Sequence, residues 1–323
     1  MRNARMAAVG LILWLLLAAG CQGPDALALN QKTAASAPTP PAAAPARVEA
    51  ALPQPPTSTP PPTFAPAFTP EPTLTPPPTA TPTITPFICS ETQGKVERFE
   101  AGPADDAPPL TFRIYTPPCY AERPNGNYPA LYIIHGQTFG DDQWDRLGID
   151  ETADRLIASG EAAPFLIVMP LEQETLPDPF ETMFGYTLAD QLVPWIDQHY
   201  RTCAERTCRA IGGLSRGGGW AIHMGFTRWQ LFGAIGAHSA PVFLNDPYRL
   251  PEWLEEIPRD QLPRIYLDNG RLDWYEAIER EFEALLMRLR VPHEYYVFEG
   301  AHDEAYWSAH VEDYLRWYTY PWK

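Results

Sequence analysis

Residues Gly213-Leu214-Ser215-Arg216-Gly217-Gly218 form a G-x-S-x-G pattern, the mark of a nucleophile elbow. Upstream, Cys208-Arg209-Ala210-Ile211-Gly212 reads as a short strand. Downstream, Gly219-Trp220-Ala221-Ile222-His223-Met224 reads as the start of a buried helix. A strand, a sharp turn and a helix would lift one serine hydroxyl out of a sheet, with Gly213 and Gly217 small where the two backbones pass close. The bland alternative is a glycine-rich turn around an ordinary serine.

A serine hydroxyl is a poor nucleophile at neutral pH, so it needs a base in hydrogen-bond reach and a carboxylate to orient that base. With the chain order serine, acid, histidine, the base lies downstream. His302, in Glu299-Gly300-Ala301-His302-Asp303, follows the last strand signal and is favoured; His238, at the end of Phe232–Ala237, is its rival, otherwise a polar residue lining the cleft. His223 and His310 fall inside helices, and His293 precedes a strand at the wrong end of the sheet. For the acid, Asp273 is favoured by its place in the loop, where Asp273-Trp274-Tyr275-Glu276 would also make a capping box. Asp268 is the alternative, and Asp268-Asn269-Gly270 is equally a turn signal. The oxyanion of a tetrahedral intermediate needs two fixed N–H donors. These are expected from the backbone of Arg216 and from the loop His135-Gly136-Gln137-Thr138, where Gln137 is the choice and Thr138 the alternative. His135 reads as structural.

The elements that must position these groups recur in order. Strand signals lie at Leu110–Thr116, Ala130–Ile134, Phe165–Met169, Phe232–Ala237, Ile265–Leu267 and Tyr295–Phe298. Helical stretches lie at Thr152–Ile157 and Leu188–His199, and Tyr275, Ile278, Phe282, Leu285, Leu286 and Leu289 share one helical face. Strands alternating with helices predict an α/β fold with a mostly parallel sheet covered on both faces, and sites in such sheets form at the carboxyl ends of the strands.

The remainder of the chain is of another kind. Arg2 and Arg5 precede an apolar run over 6–19, which predicts a signal peptide over 1–20 rather than a membrane span. Leu17-Ala18-Ala19-Gly20-Cys21 resembles a lipobox, making Cys21 the expected lipidation site and a lipid the expected membrane anchor, with Ala18 where leucine is commoner. Residues 21–86 form a Pro/Thr-rich tether that lacks the apolar periodicity needed for a core. Extended, it would reach up to ~150–190 Å. Residues 87–323 have the composition of one globular domain. With Cys21 lipidated, four of the five cysteines remain. The expected pairs are Cys203–Cys208, closing a small loop, and Cys89–Cys119, stapling the start of the domain. Half a metal site is the alternative for Cys203 and Cys208, but no second ligand pair lies nearby. A net charge of −16 argues against nucleic acid as a partner, and the sequence carries no Walker loop, dinucleotide fingerprint or zinc motif.

Four motifs in order carry a resemblance: Leu131-Tyr132-Ile133-Ile134-His135-Gly136, Gly213-Leu214-Ser215-Arg216-Gly217-Gly218, Gly270-Arg271-Leu272-Asp273 and Gly300-Ala301-His302-Asp303. Gln143-Trp144-Asp145-Arg146-Leu147-Gly148 and Tyr306-Trp307 add to it. Over about residues 110–320 the chain resembles the putative-esterase (esterase D-like) family of α/β-hydrolases. That family includes enterochelin esterases, S-formylglutathione hydrolases, feruloyl and acetylxylan esterases, and mycolyltransferases. The resemblance implies an α/β-hydrolase fold and triad roles for Ser215, Asp273 and His302, in chemistry that needs neither metal nor cofactor. The lipid anchor and tether depart from many soluble members and argue against an intracellular formylglutathione role. The expectation is an extracytoplasmic serine esterase acting on a siderophore, feruloyl or acetyl ester, either free or linked to a polysaccharide. An acyltransferase using the same triad and a non-catalytic surface binding module are the alternatives. Trp144, Trp274 and Trp307 are candidates to line the pocket, and the stretches 171–185 and 244–263 to shape it.

Overall fold

The computed structural model describes residues 89–101, 110–173 and 182–323. The expected signal peptide, Cys21, the expected tether over 21–86, and positions 87–88, 102–109 and 174–181 lie outside the described residues. Eight strands build one sheet: β1 (Lys95–Ala101), β2 (Leu110–Thr116), β3 (Ala130–Ile134), β4 (Leu166–Pro170), β5 (Arg209–Leu214), β6 (Ala234–His238), β7 (Arg264–Gly270) and β8 (Glu294–Phe298). Their order is β1-β2-β4-β3-β5-β6-β7-β8. The β1–β2 and β2–β4 pairs are antiparallel, and all pairs from β4 to β8 are parallel.

The central strands are continuous apolar runs because each feeds two cores. In β3, Ala130, Tyr132 and Ile134 face one core while Leu131 and Ile133 face the other; Leu166 and Val168 of β4 likewise oppose Ile167 and Met169. One core is closed by α3 (Phe184–Tyr186), which continues through a π-turn at Thr187–Leu192 into α4 (Val193–His199), and by α5 (Arg216–Thr227), α6 (Asp246–Glu256) and α7 (Glu276–Arg288). The other is closed by α1 (Gln143–Arg146), α2 (Ile149–Ala158) and α8 (Glu304–Thr319). This is the α/β-hydrolase fold.

The strand signals at Leu110–Thr116 and Ala130–Ile134 coincide with β2 and β3. Three details differ from expectation. β1 had no apolar run to mark it, because it is an edge strand of alternating character, KVERFEA. Stretch 244–263 forms α6, whose Leu250 and Trp253 are buried in the core it shares with α5. In α7 the expected apolar face buries Phe282 and Leu286, whereas Ile278, in the first turn, is 41% exposed.

Both expected disulfides are present, Cys89–Cys119 and Cys203–Cys208, with sequence separations of 30 and 5. Loop-closure entropy rises with the length closed. Removing Cys89–Cys119 by double alanine replacement is therefore expected to cost about 3.5 kcal/mol and removing Cys203–Cys208 about 2 kcal/mol. Urea midpoints at constant m-value measure both.

Candidate active site

β5 ends at Leu214, and Ser215 turns the chain into α5 with φ 50° and ψ −128°. A non-glycine residue in this region is strained and persists only where its surroundings over-determine it. Three observations show how. The Ser215 N–H donates to the His238 carbonyl on neighbouring β6 at 2.8 Å. The Ser215 carbonyl accepts the N–H groups of Gly218 and Gly219, which starts α5. A side chain on Gly213 would run into the Gly217 backbone, and one on Gly217 into the Ile134 and His135 carbonyls. Gly217 is thus small for the end of β3 as well as for β5.

The Ser215 Oγ lies 2.9 Å from His302 Nε2. His302 Nδ1 lies 2.9 and 3.0 Å from the two Asp273 carboxylate oxygens. An ionised carboxylate only accepts, so Nδ1 carries the proton and donates to Asp273, leaving Nε2 to accept from the serine hydroxyl. Burial pushes the Asp273 carboxyl up, but hydrogen bonds from His302, the Tyr275 N–H and Ser239 outweigh it and hold the group below its ordinary value. The His302 ring is boxed by Trp274, whose centroid is 4.4 Å away, and by edge contacts with Trp307 at 5.0 Å and Tyr275 at 5.1 Å. Of the sequence candidates, the structure brings Ser215, His302 and Asp273 together.

The two rivals lie elsewhere. His238 does not line the cleft: it is fully buried, with Nδ1 2.6 Å from Asp268 Oδ1. Asp268 is not an exposed turn residue but a fully buried one in β7. The expected capping box also fails to form. α7 begins at Glu276 with Tyr275 as its N-cap, and the Asp273 side chain accepts the Tyr275 N–H at 2.8 Å.

Beside Ser215, the loop Gly136-Gln137-Thr138-Phe139 and the residues Trp274 and Tyr275 line a cleft of about 600 Å³. Gln137 and Thr138 both border this cleft. Trp274 and Trp307 border it too, but Trp144 does not. Its ring is buried and donates Nε1 to the Ile134 carbonyl. Among the described residues of 171–185 and 244–263, none lines the cleft.

The braces of the Gly136–Phe139 loop were not visible in the sequence. The fully buried Gln143 accepts the Gly136 N–H at 2.8 Å and donates to Glu304 at 3.2 Å, and Arg146 grips the same Glu304. His135 is indeed structural: its Nδ1 lies 2.7 Å from the Gly136 carbonyl, and its Nε2 accepts the Glu172 N–H at 2.9 Å. Burial lowers its pKa, in keeping with this neutral tautomer. The Arg216 guanidinium meets the buried Glu172 carboxylate in a fork at 2.6–3.0 Å, and Trp220 Nε1 donates to it at 2.7 Å. In the sequence, only the segment Gln143–Gly148, singled out by resemblance, and the reading of His135 as structural pointed towards these contacts.

A family model described as putative esterase matches residues 108–318. The chain belongs to this esterase family. It is 28% identical to an endo-1,4-beta-xylanase/feruloyl esterase of Xylanibacter ruminicola, over 54% of this chain and 24% of the relative. It is 27% identical to an esterase of Mycobacterium tuberculosis, over 54% of this chain and 48% of the relative. The chain therefore spans between about a quarter and about half of the length of these curated relatives. Among solved structures it is similar to a ferulic acid esterase, with TM-score 0.63 and 26% identity, covering 71% of this chain and 99% of that one. A feruloyl esterase module from Clostridium thermocellum in complex with sinapinate shares the fold, with TM-score 0.60 and 17% identity over 71% of this chain and 89% of that one.

The depressed Asp273 carboxyl has a pH consequence. Its contribution to stability is fully present above the ordinary value of 3.8 and is lost as pH falls through the lower folded value. Denaturant titrations from pH 5 downwards should show the wild-type protein losing stability more steeply below about pH 4 than Asp273→Asn, which has no carboxyl to titrate there.

Proposed function

We propose that this protein is a serine carboxylic-ester hydrolase acting on aromatic acyl esters carried by a polysaccharide. The observation that carries the reading is the unbroken chain from Ser215 Oγ through His302 to Asp273 at the floor of an open cleft. His302 Nε2 takes the hydroxyl proton as Ser215 Oγ attacks the ester carbonyl, and Asp273 stabilises the imidazolium that forms. The Arg216 and Gln137 backbone N–H groups receive the oxyanion. Collapse of the tetrahedral intermediate breaks the bond to the leaving alkoxide, which takes the proton from His302. The same histidine then deprotonates water, which attacks the acyl-enzyme, and a second collapse frees the acid and restores the serine hydroxyl.

The substrate class is inferred from two supports. One relative is named a xylanase/feruloyl esterase and one structural neighbour a ferulic acid esterase. Exposed aromatic rings also line the cleft: Trp274, 68% exposed, and Phe139, 41% exposed. Flat rings there suit an arylpropenoyl group better than a small acetyl group. The apolar run over 6–19 and the lipobox-like ending at Cys21 support export and attachment of the protein to a membrane by lipid, with the esterase domain outside the cytoplasm.

Ser215→Ala is expected to lower kcat for p-nitrophenyl acetate by at least about 10⁴-fold with an unchanged melting temperature. Retained activity in that variant would overturn the serine mechanism. Acid release measured with and without a competing acceptor alcohol separates hydrolysis from acyl transfer. Trp274→Ala is expected to raise KM for methyl ferulate by roughly 2–12-fold, the worth of an aromatic pair, and to change KM for p-nitrophenyl acetate less than twofold. Equal effects on both esters would remove Trp274 from acyl recognition.

A further inference from the structure

The two residues that lost the contest for triad roles are partners of each other, and their surroundings are unusual for a core. Asp268 is fully buried and receives three side-chain bonds. His238 Nδ1 lies 2.6 Å from Oδ1, the Tyr306 hydroxyl donates to Oδ2 at 2.6 Å, and the Tyr314 hydroxyl donates to Oδ2 at 2.9 Å. A fourth polar group closes the system: the Tyr318 hydroxyl lies 3.1 Å from His238 Nε2. The Tyr314 ring also stacks on the His238 imidazole, with centroids 3.7 Å apart. Tyr306, Tyr314 and Tyr318 occupy one face of α8, at spacings of eight and four. The sheet is hollowed to admit them: a side chain on Gly212 of β5 or Gly236 of β6 would overlap the Tyr318 hydroxyl. Burial and the Asp268 charge push all three phenols up, so they remain donors.

This hub touches both ends of the proposed Ser215–His302 bond without touching substrate. His238 is the residue whose carbonyl holds the Ser215 N–H at 2.8 Å. Tyr306 lies in the first turn of α8, and its N–H is taken at 2.9 Å by the Asp303 side chain, the residue after His302. The backbone beyond His238 is fixed by the same strand: the Ser239 N–H donates to the Asp268 carbonyl at 2.7 Å, and Ser239 Oγ accepts from Trp307, which packs on His302. A buried carboxylate costs several kcal/mol in desolvation, and an apolar cluster of like volume would often hold helix to sheet as well. What the apolar cluster lacks is direction. Three donors converging on one carboxylate fix the register of α8 against β6 and β7 in a way that greasy packing does not.

We propose that Asp268, His238 and the α8 tyrosines are positioning residues that set the distance and angle between Ser215 and His302. The proposal rests on the reading of those two residues as nucleophile and base.

The test compares Tyr306→Phe with Tyr115→Phe. Each removes one hydroxyl donated to an aspartate and keeps the ring, but Tyr115 bonds Asp154 at 2.8 Å and has no contact with the site. Both are measured for kcat and KM with p-nitrophenyl acetate, for the rate of Ser215 labelling by a fluorophosphonate, and for melting temperature. Tyr306→Phe is expected to lower kcat and the labelling rate roughly 5–20-fold with KM within twofold, consistent with loss of alignment rather than of binding. Tyr115→Phe is expected to lower the melting temperature comparably and leave kcat and labelling within twofold. Equal kcat and labelling rates for the two variants, at matched temperatures below their transitions, would overturn the positioning role. Tyr314→Phe repeats the test should Tyr306→Phe fold poorly. A wild-type protein that folds but is not labelled at all would overturn the serine mechanism itself, and this inference with it.

Discussion

The site depends on one backbone residue held where the chain does not wish to go. Ser215 sits at φ 50°, at a cost of order 1–3 kcal/mol, and the hexapeptide alone does not fix it there. The constraint comes from neighbours on three strands. β6 takes the Ser215 N–H, the end of β3 closes on Gly217, and β5 meets the first turn of α5 through Gly213. A parallel sheet makes this possible, because β3, β5 and β6 lie side by side and end at one edge.

The same logic explains why polar clusters crowd this edge. The Glu172–Arg216–Trp220 group lies behind the elbow on the α5 side. Gln143 and Glu304 tie the loop at Gly136 to the start of α8. His135 joins that loop to the strand end after β4. Each joins partners supplied by different elements close to the cleft. Around Asp273 and Asp268 a third carboxyl, Glu279, is fully buried; burial pushes it well above its ordinary value, and its Oε1 accepts the Ala240 N–H at 3.1 Å.

How much of this was legible follows from the range of each interaction. β2 and β3 were readable because an apolar run between turn signals is a local pattern, and the Ser215, Asp273 and His302 motifs because each follows a recognisable strand. β1 was missed because its sequence alternates charge with apolar residues at an edge. Gln143 and Glu172 were missed for another reason. A glutamine gripping a backbone N–H has no periodic signature, and its second partner, Glu304, is 161 positions away. His238 and Asp268 were noticed as chemical groups, but their tyrosine partners lie on a helix whose heavy aromatic content reads as ordinary packing. Trp144 was misplaced because an indole near a candidate loop looks the same in sequence whether it faces a cleft or donates into a core.

The order of residues along the chain has a consequence for when activity can arise. Ser215 precedes its hydrogen-bond partner His302 by 87 positions, and His302 lies between β8 and α8, the last strand and the longest helix among the described residues. A chain emerging from the ribosome amino-terminus first carries Ser215 well before His302 has been made. During that interval the elbow lacks α8, the Asp268 hub lacks its tyrosines, and the cleft lacks the Trp307 wall. The Ser215–His302 contact in this arrangement therefore needs the carboxy-terminal β8 and α8 to be in place.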